Sequence, residues 1–247
     1  MKNWLYLIIL LVVGCSGDTY LDDVELIMEE DPCDCACVSF PEDGLVAYYP
    51  FNGNTLDESG NENHPLYDTS ILSVDRNGEE DKSVWFSGKR ETNYIQLDID
   101  TESITTNSSY SISFWVFREG DGSNNPRVLE FWGQDGPGQL GLTWENNGYA
   151  SIGAIYDNST VNILELPVET SNWHHIVMTI DSEYTTLYVD GTQVDQKDSL
   201  GIPSLVGQVA FGMMNHPQWD SFNGKLDDIG IWNRVLNEDE VTYLFEN

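Results

Sequence analysis

The chain has 247 residues, and its 42 acidic side chains outnumber its 10 basic ones, which gives a formal net charge of -32 at pH 7. This balance argues against nucleic acid as a partner, because proteins bind phosphate backbones through clustered Lys and Arg side chains. It also disfavours direct contact with anionic lipid head groups, and it suits a solvated extracellular surface and divalent cations. The length is sufficient for one domain with a sizeable core.

The first segment, MKNWLYLIILLVVGC, is typical of a secretory signal. Its apolar run over residues 4–13 is too short to span a bilayer, which takes about 20 residues. The sequence VVGC resembles a bacterial lipobox, in which a small residue precedes a lipidated Cys. We therefore predict a signal peptide over residues 1–14 and a lipid anchor on Cys15 that holds the protein at the outer membrane or cell surface. The alternative is an ordinary signal peptide followed by a structural Cys.

Residues 15–42 are acidic and lack a clear period, which predicts a tether between the membrane and the following domain. The tether contains Cys33, Cys35 and Cys37, an odd number of thiols once Cys15 is lipidated. One of the three therefore stays free, pairs between chains or takes a small-molecule cap. A disulfide is favoured over a metal site, because no His or fourth Cys lies nearby to complete a tetrahedral shell.

Short runs rich in aromatic and β-branched residues, separated by Gly, Asn and Asp, predict an all-β domain over residues 43–247. Large apolar side chains stand on both faces of SISFWVF, Ser111 to Phe117, which predicts a central strand covered on each side. Asp190 and Gly191 separate two strand-like runs and predict a type I′ hairpin, because this turn needs positive φ twice. Further strands are predicted at residues 94–99, 128–132, 140–144, 150–156, 173–180, 206–212 and 225–232.

Only the C-terminal segment NEDEVTYLF has a helical pattern, in which Asn237 and Glu240 form a capping box ahead of the apolar residues. The remaining elements are strands and turns, without the alternation of strand and helix that a parallel sheet requires. The sequence therefore predicts a two-sheet antiparallel sandwich.

Five segments occur in an order that is similar to LamG-like (laminin G-like) domains of the concanavalin A-like lectin/glucanase group. They are GLVAYYPFNGNTLDESGNENH, VWFSGKRETNYIQL, YSISFWVF, NWHHIVMTIDSEYTTLYVDGTQV and FNGKLDDIGIWNRVLNEDEVTYLF, and they cover residues 44–247. The stretch GKRETNY departs from the pattern, because many relatives have a shorter acidic turn before the Tyr. The resemblance implies a jelly-roll sandwich, frequently a bound Ca²⁺, and recognition of glycans or proteins. It does not imply one activity, because sandwiches of this group include lectins, adhesins and hydrolases.

The loop LDESGNENH predicts a Ca²⁺ site, since calcium takes six to eight oxygen ligands from carboxylates, amides, carbonyls and water. Asp57 offers a carboxylate and Asn61 or Asn63 an amide oxygen, and His64 offers its backbone carbonyl in preference to its ring. The resemblance places Asp227 near this loop, so that the ion would join the first strand to the last. In the alternative interpretation, Asp57 and its neighbours form only Asx-type turns.

Catalytic machinery is not predicted. Glycosidases need two carboxyl groups that reach the same sugar, and no strand carries an ExDxE-type run. Glu130 stands alone, and Asp227 and Asp228 are adjacent, which in a regular strand places them on opposite faces. His174 and His175 are interpreted as core or sheet-surface residues, since neither a GxSxG motif nor a Cys within the domain accompanies them.

Glycan sites combine an aromatic face with polar side chains that fix the hydroxyl groups, and the loop MMNHPQWDSFNG has this composition. A Trp that closes the end of the core is the alternative interpretation for each candidate aromatic residue. The candidate ligand-binding residues are Trp219, Asn215, His216, Gln218, Asp220 and, in a second place, Trp132. The sequence thus predicts a non-catalytic surface protein that binds polysaccharide, with a protein-binding adhesin or envelope scaffold as the main alternative. A divergent polysaccharide hydrolase or lyase is the third.

Overall fold

The computed structural model describes residues 38–89, 93–119, 127–132, 140–144, 149–156, 159–167, 171–199, 208–212 and 221–247. Fifteen strands and two short helices are found within these ranges. The strands are β1 (Leu45–Tyr49), β2 (Pro65–Asp68), β3 (Ile71–Ser73), β4 (Ser83–Ser87), β5 (Ile95–Leu97), β6 (Tyr110–Arg118), β7 (Arg127–Trp132), β8 (Leu140–Trp144), β9 (Tyr149–Tyr156), β10 (Ser159–Pro167), β11 (Trp173–Ile180), β12 (Tyr184–Val189), β13 (Thr192–Asp198), β14 (Gln208–Phe211) and β15 (Asn223–Trp232). The helices are α1 (Thr101–Thr105) and α2 (Glu238–Glu246).

The strands form two antiparallel sheets. Sheet A has eight strands, seven of them in the order β13-β12-β11-β6-β15-β4-β3, while β1 also pairs with β15. Sheet B has seven strands in the order β10-β9-β8-β7-β14-β5-β2. Tyr48 of β1 lies opposite Gly230 of β15, so backbone hydrogen bonds join the first strand directly to the last. The predicted two-sheet antiparallel sandwich is confirmed.

The main core lies between the sheets, and the alternation of strand side chains explains its composition. On β6, Ile112, Phe114 and Val116 are buried in it, and on β11 every second residue from Ile176 to Ile180 joins them. Successive side chains of a strand point to opposite faces, so one set of residues fills the core while the other covers the outer face of sheet A. The prediction of a central strand at β6 is confirmed, since it lies between β11 and β15.

A second, smaller core covers the outer face of sheet A. Trp232 of β15 is fully buried here with Val177, Tyr188, Leu236 and Val241, the last of which belongs to α2. The capping box predicted for α2 is present, because the Asn237 side chain accepts from the Glu240 backbone and the Glu240 side chain accepts from the Asn237 backbone. Helix α2 is therefore fixed at its start and packs its apolar side onto the sheet.

The segment that precedes β1 also contacts this second core. Phe40 packs against it, and Pro41 accepts a hydrogen bond of 2.6 Å from Trp232 Nε1 through its carbonyl oxygen. Both residues lie in the segment that the sequence predicts to be a tether, residues 15–42. Among the described residues, no helix is long and apolar enough to cross a bilayer.

Two local predictions have opposite outcomes. The hairpin at Asp190 and Gly191 is confirmed, with φ of 49° and 74°, as a type I′ turn requires. The expectation that only the C-terminal segment is helical is wrong, because α1 follows Asp100, whose side chain accepts from the Glu102 backbone amide. Its five residues are too few to show a helical period in the sequence.

Candidate functional site

A cavity of about 350 Å³ opens on the outer face of sheet A beside α2. Segments that are distant in sequence form its walls: β1 and the loop after it, the loop between β3 and β4, the outer faces of β6, β11 and β15, and the C-terminal part of α2. We call it the outer cavity. Its central side chains are Tyr48, Arg76, Trp115, His175, Asp227 and Asp228.

Arg76 is the central cation of the outer cavity. Its Nη1 donates to Oδ2 of Asp227 at 2.9 Å and to Oδ2 of Asp228 at 2.6 Å, and its Nη2 donates to the carbonyl oxygen of Asn247 at 3.3 Å. Tyr48 donates from its hydroxyl to the other oxygen of Asp228 at 2.8 Å. The Arg76 side chain is only 14% exposed. One arginine therefore ties the β3–β4 loop to β15 and α2.

Asp227 and Asp228 reach the same guanidinium because β15 is irregular at this point. Asp227 lies opposite Trp115 of β6, but the register shifts before Gly230, which lies opposite Ser113. Asp228 has a φ of 45°, a left-handed conformation that a regular strand does not contain. The expectation that the two acids point to opposite faces is wrong, because this β-bulge redirects the second carboxyl group.

Burial and the neighbouring charge of Asp228 raise the pKa of Asp227 well above its ordinary value, although Arg76 acts in the other direction. Burial lowers the pKa of Arg76, but the two carboxylates outweigh it and raise the pKa above that of a free arginine. Burial and the carboxylate of Asp228 raise the pKa of Tyr48, so its hydroxyl keeps the proton that it donates. One cation thus faces two acids, and the side chains of Arg76 and Asp227 are largely removed from water.

Two aromatic rings form the floor of the outer cavity. The guanidinium carbon of Arg76 lies 4.6 Å from the centroid of the Trp115 ring, which also stacks with Phe245 of α2 at 5.7 Å. His175 lies beside Trp115, with ring centroids 5.2 Å apart. Arginine over an indole face is a favourable cation–π contact, and it fixes the position of the guanidinium.

His175 forms a buried pair with Ser113, whose hydroxyl oxygen lies 2.8 Å from Nε2 of the imidazole. Burial lowers the pKa of His175 to about 3, so the ring is neutral at physiological pH. A histidine with so low a pKa is a poor general base for a serine hydroxyl near pH 7. His174 lies 2.9 Å from Asp190 through Nδ1. The interpretation of both histidines as core or sheet-surface residues agrees with these positions.

The predicted calcium loop is held together by its own hydrogen bonds. The Asp57 carboxylate accepts from the backbone amides of Tyr48, Ser59 and Asn63 at 2.8 to 2.9 Å, and from the Ser59 hydroxyl at 2.9 Å. Asn61 donates from its side-chain amide to the carbonyl oxygen of Val46 at 3.1 Å. The Asx turn of the alternative interpretation is therefore present, and Gly60 adopts a φ of 88° as the tight turn requires.

The other predicted metal ligands are engaged with protein partners. His64 accepts from the Asp57 backbone amide through Nδ1 at 3.2 Å, so its ring orders the loop. Asp227 bonds to Arg76, and the two strands that the ion was expected to join are already paired through their backbones. Among the described residues, no cluster of three or more His, Cys, Asp and Glu side chains is arranged to hold a metal. The predicted calcium site at Asp57, Asn61, His64 and Asp227 stays a prediction.

We expect Asp57→Ala to lower the free energy of unfolding by about 2–3 kcal/mol, because three backbone amides and one hydroxyl lose their acceptor. Glu58→Ala, an exposed acid next to it, is the matched control and should change stability by less than about 0.5 kcal/mol. Urea unfolding with calcium and with EDTA measures both. Equal stability of the two variants would contradict the structural role of Asp57.

The predicted glycan loop and lipidation site lie outside the described residues. This applies to Asn215, His216, Gln218, Trp219 and Asp220, and to Cys15 with the three tether cysteines. Trp132 ends β7 and pairs with Gln208 of β14 through its backbone, but its side chain is not described. Their assigned roles stay predictions.

Sequence reasoning missed the three side chains that shape the outer cavity: Tyr48, Arg76 and Trp115. Tyr48 and Trp115 were interpreted only as strand residues, and Arg76 lies in a polar turn without any motif. The scarcity of basic residues was the available signal. In a chain with 10 Lys and Arg against 42 acids, a basic residue flanked by hydrophobic strands is a candidate counter-ion for buried carboxylates.

The family model described as "Concanavalin A-like lectin/glucanases superfamily", Laminin_G_3, matches residues 88–242, which is more than half of the chain. The chain therefore belongs to the concanavalin A-like lectin/glucanase superfamily. This agrees with the resemblance in the sequence and with the two-sheet sandwich.

Solved structures with a similar fold are binding domains of larger proteins. The binding domain of Paraclostridial Mosquitocidal Protein 1 has 21% identity and a TM-score of 0.66, with 83% of this chain and 52% of that chain covered. The binding domain of Botulinum neurotoxin DC, in complex with rat synaptotagmin II, has 16% identity and a TM-score of 0.66, with 84% and 52% covered. A structure of botulinum neurotoxin type C, whose cell entry is described as dependent on interaction with two ganglioside molecules, has 14% identity and a TM-score of 0.67, with 83% and 51% covered. The chain spans about half the length of these structures, and at this identity the likeness concerns the fold.

Proposed function

We propose that this protein is a lipid-anchored cell-surface protein that binds carbohydrate without catalysing its cleavage. The observation that carries the proposal is membership of a lectin and glucanase superfamily, combined with a fold shared with receptor-binding domains. Another structure with this fold is of botulinum neurotoxin type C, whose cell entry is described as dependent on interaction with two ganglioside molecules. The anchor at Cys15 and display at the outer membrane or cell surface are parts of the proposal that rest on the N-terminal sequence.

Two features of the outer cavity support a role without catalysis. The acids Asp227 and Asp228, which the bulge brings together, both bond to Arg76, so a guanidinium lies where a glycosidic bond would have to lie. The Ser113–His175 pair is buried, and its histidine has too low a pKa to activate a hydroxyl near neutral pH. Both pairs stabilise the fold.

A protein ligand is the second candidate function. The Botulinum neurotoxin DC domain with the same fold is in complex with rat synaptotagmin II. In this candidate, Cys33, Cys35 and Cys37 would form bonds between chains, and sugar binding would be incidental.

A glycan array with the full-length protein in detergent, with millimolar calcium and with EDTA, tests the proposal. We expect hits on a related set of polysaccharide fragments, and their loss in EDTA would assign calcium to the binding loops. Hits that persist in EDTA would support the lectin and contradict the calcium prediction. No binding to any sugar would overturn the carbohydrate proposal in favour of a protein partner, and new reducing ends would show an enzyme.

A further inference from the structure

Two residues that line the outer cavity carry buried polar atoms that have no hydrogen-bond partner among the described residues. Trp115 and His175 are 8% and 1% exposed, and both line the cavity. Within the described residues, neither the indole Nε1 of Trp115 nor the imidazole Nδ1 of His175 has a hydrogen-bond partner. Because His175 is neutral and its Nε2 contacts Ser113, the unpartnered atoms are one donor, Trp115 Nε1, and one ring nitrogen, His175 Nδ1, that donates or accepts according to the tautomer. A hydroxyl group suits both atoms, because it donates and accepts.

The side walls of the outer cavity offer apolar faces of the right size for a small ligand. Phe40 and Tyr48 lie with ring centroids 4.8 Å apart, and Tyr243 of α2 lines the cavity with them. All three rings are partly exposed. A volume of about 350 Å³ is within the range of small-molecule sites, in which aromatic faces give area and a few polar groups give orientation. Partly exposed aromatic rings among hydroxyl-seeking groups are typical of sugar sites.

The charges of the outer cavity have an excess of acid. Four acidic residues line it, Asp75, Glu79, Asp227 and Asp228, and two basic residues, Arg76 and Lys82. Arg76 is already bonded to two of the acids, and Lys82 donates to the side-chain oxygen of Asn52 at 2.9 Å. Glu79 is exposed and the Asp228 side chain is 25% exposed, so a ligand meets carboxylates that accept from hydroxyl or ammonium groups and repel other carboxylates.

We propose that the outer cavity is the carbohydrate site of this protein, and that it accepts neutral and amino sugars while it rejects acidic ones. This inference rests on the proposed function and deepens it, because it names the site and the sugar class. It also transfers the binding role from the loop around Trp219 to the outer face of sheet A. The site depends on the bulge in β15, because the bulge brings the carboxyl groups of both Asp227 and Asp228 to Arg76.

The test compares sugars that differ mainly in charge. Saturation-transfer NMR and titration of the full-length protein with galactose, galactosamine and galacturonic acid measure the preference directly, together with glucose, glucosamine and glucuronic acid. We expect the neutral and amino sugars of a series to bind at least about tenfold more tightly than the acidic one.

Two variants test the location of the site. Trp115→Phe removes the indole N–H but keeps a ring between Arg76 and Phe245, and it should weaken binding about five- to tenfold. Asp228→Asn should reduce the preference for galactosamine over galacturonic acid by about tenfold, and it is the second variant if the first does not fold. Glu58→Ala, exposed and not among the cavity residues, is the control that should bind as the unchanged protein does. Melting curves confirm that each variant is folded.

The outcomes separate the two proposals. Hits on the array together with unchanged binding by folded Trp115→Phe and Asp228→Asn would leave a lectin but overturn the outer cavity as its site. Equal or tighter binding of the acidic sugars would overturn the proposed sugar class. If the unchanged protein bound no sugar on the array or in the titrations, the proposed function itself would be overturned, and this inference with it.

Discussion

Replacing Arg76 by Met is expected to lower the free energy of unfolding by about 3 kcal/mol at pH 8. The change leaves Asp227, 2% exposed, and Asp228, 25% exposed, next to each other without their shared cation. Removing one partner of a buried ion pair is costly chiefly because the remaining charges lose both water and counter-ion. Urea unfolding of the variant and the unchanged protein measures the loss.

The loss should depend on pH with a definite sign. Without Arg76, the pKa of Asp227 in the folded state rises further above its unfolded value, since the lowering influence of Arg76 disappears. The folded variant then binds more protons than its unfolded chain, so its stability rises as pH falls from 8 towards 5. The unchanged protein gains stability in the same way below the Asp227 pKa of about 8, so the stability gap between the two proteins should narrow as pH falls from about 10 to about 7 and change little below that.

Two further variants complete the Arg76 experiment. Lys82→Met removes a cavity cation whose bond is to the uncharged side chain of Asn52, so it should cost less than about 1 kcal/mol. The triple change Arg76→Met, Asp227→Asn, Asp228→Asn removes the unpaired charges and should recover most of the loss. A gap of equal size at about pH 7 and about pH 10 would mean that the Asp227 carboxyl group is not the cause.

Replacing Trp232 by Ala is expected to cost about 4 kcal/mol, the largest effect of a single change outside the main core. The ring is fully buried in the second core on the outer face of sheet A, and its Nε1 donates to the Pro41 carbonyl oxygen. The variant loses the buried ring, leaves a cavity under α2 and releases the segment before β1. Urea unfolding of the variant and the unchanged protein measures this loss in the free energy of unfolding.

Trp232→Phe separates the two contributions. A phenyl ring keeps most of the packing, so the remaining loss of about 1–2 kcal/mol reports the hydrogen bond to Pro41 and the smaller volume. Val235→Ala, at a position 37% exposed near the end of β15, is the matched control and should change stability by less than about 0.5 kcal/mol. If Trp232→Ala were as mild as this control, the second core would not stabilise the domain.

Features decided by neighbouring residues were predictable from the sequence. The capping box at Asn237 needs only Glu240, and the hairpin needs only Asp190 and Gly191 between two alternating runs. The residues of β6 predict a strand that is covered on both faces, because large apolar side chains stand on each face. Such local agreement, together with the resemblance of five segments, was sufficient for the fold.

The site was less predictable because it depends on long-range contacts and on one backbone irregularity. Arg76 meets Asp227 across 151 positions of sequence, and no spacing rule joins a turn residue to a strand so far away. The bulge after Asp227 is what brings Asp228 to the same side, and a two-residue period cannot foresee it. Asp57 was predicted as an ion ligand, but the structure shows it in a hydrogen-bonded turn. The composition of its loop suits both roles.

The position of β15 has a consequence for how this domain is completed. This strand lies between β4 and β6 and also pairs with β1. Sheet A therefore lacks its central strand until residues 223–232 have been synthesised. Pairing of Leu45 with Trp232 closes a loop of nearly the whole domain, and contacts of such long range slow folding. A nascent chain truncated before Asn223 would expose the edges of two central strands, so the domain should acquire its native resistance to proteolysis only after its final strand has emerged.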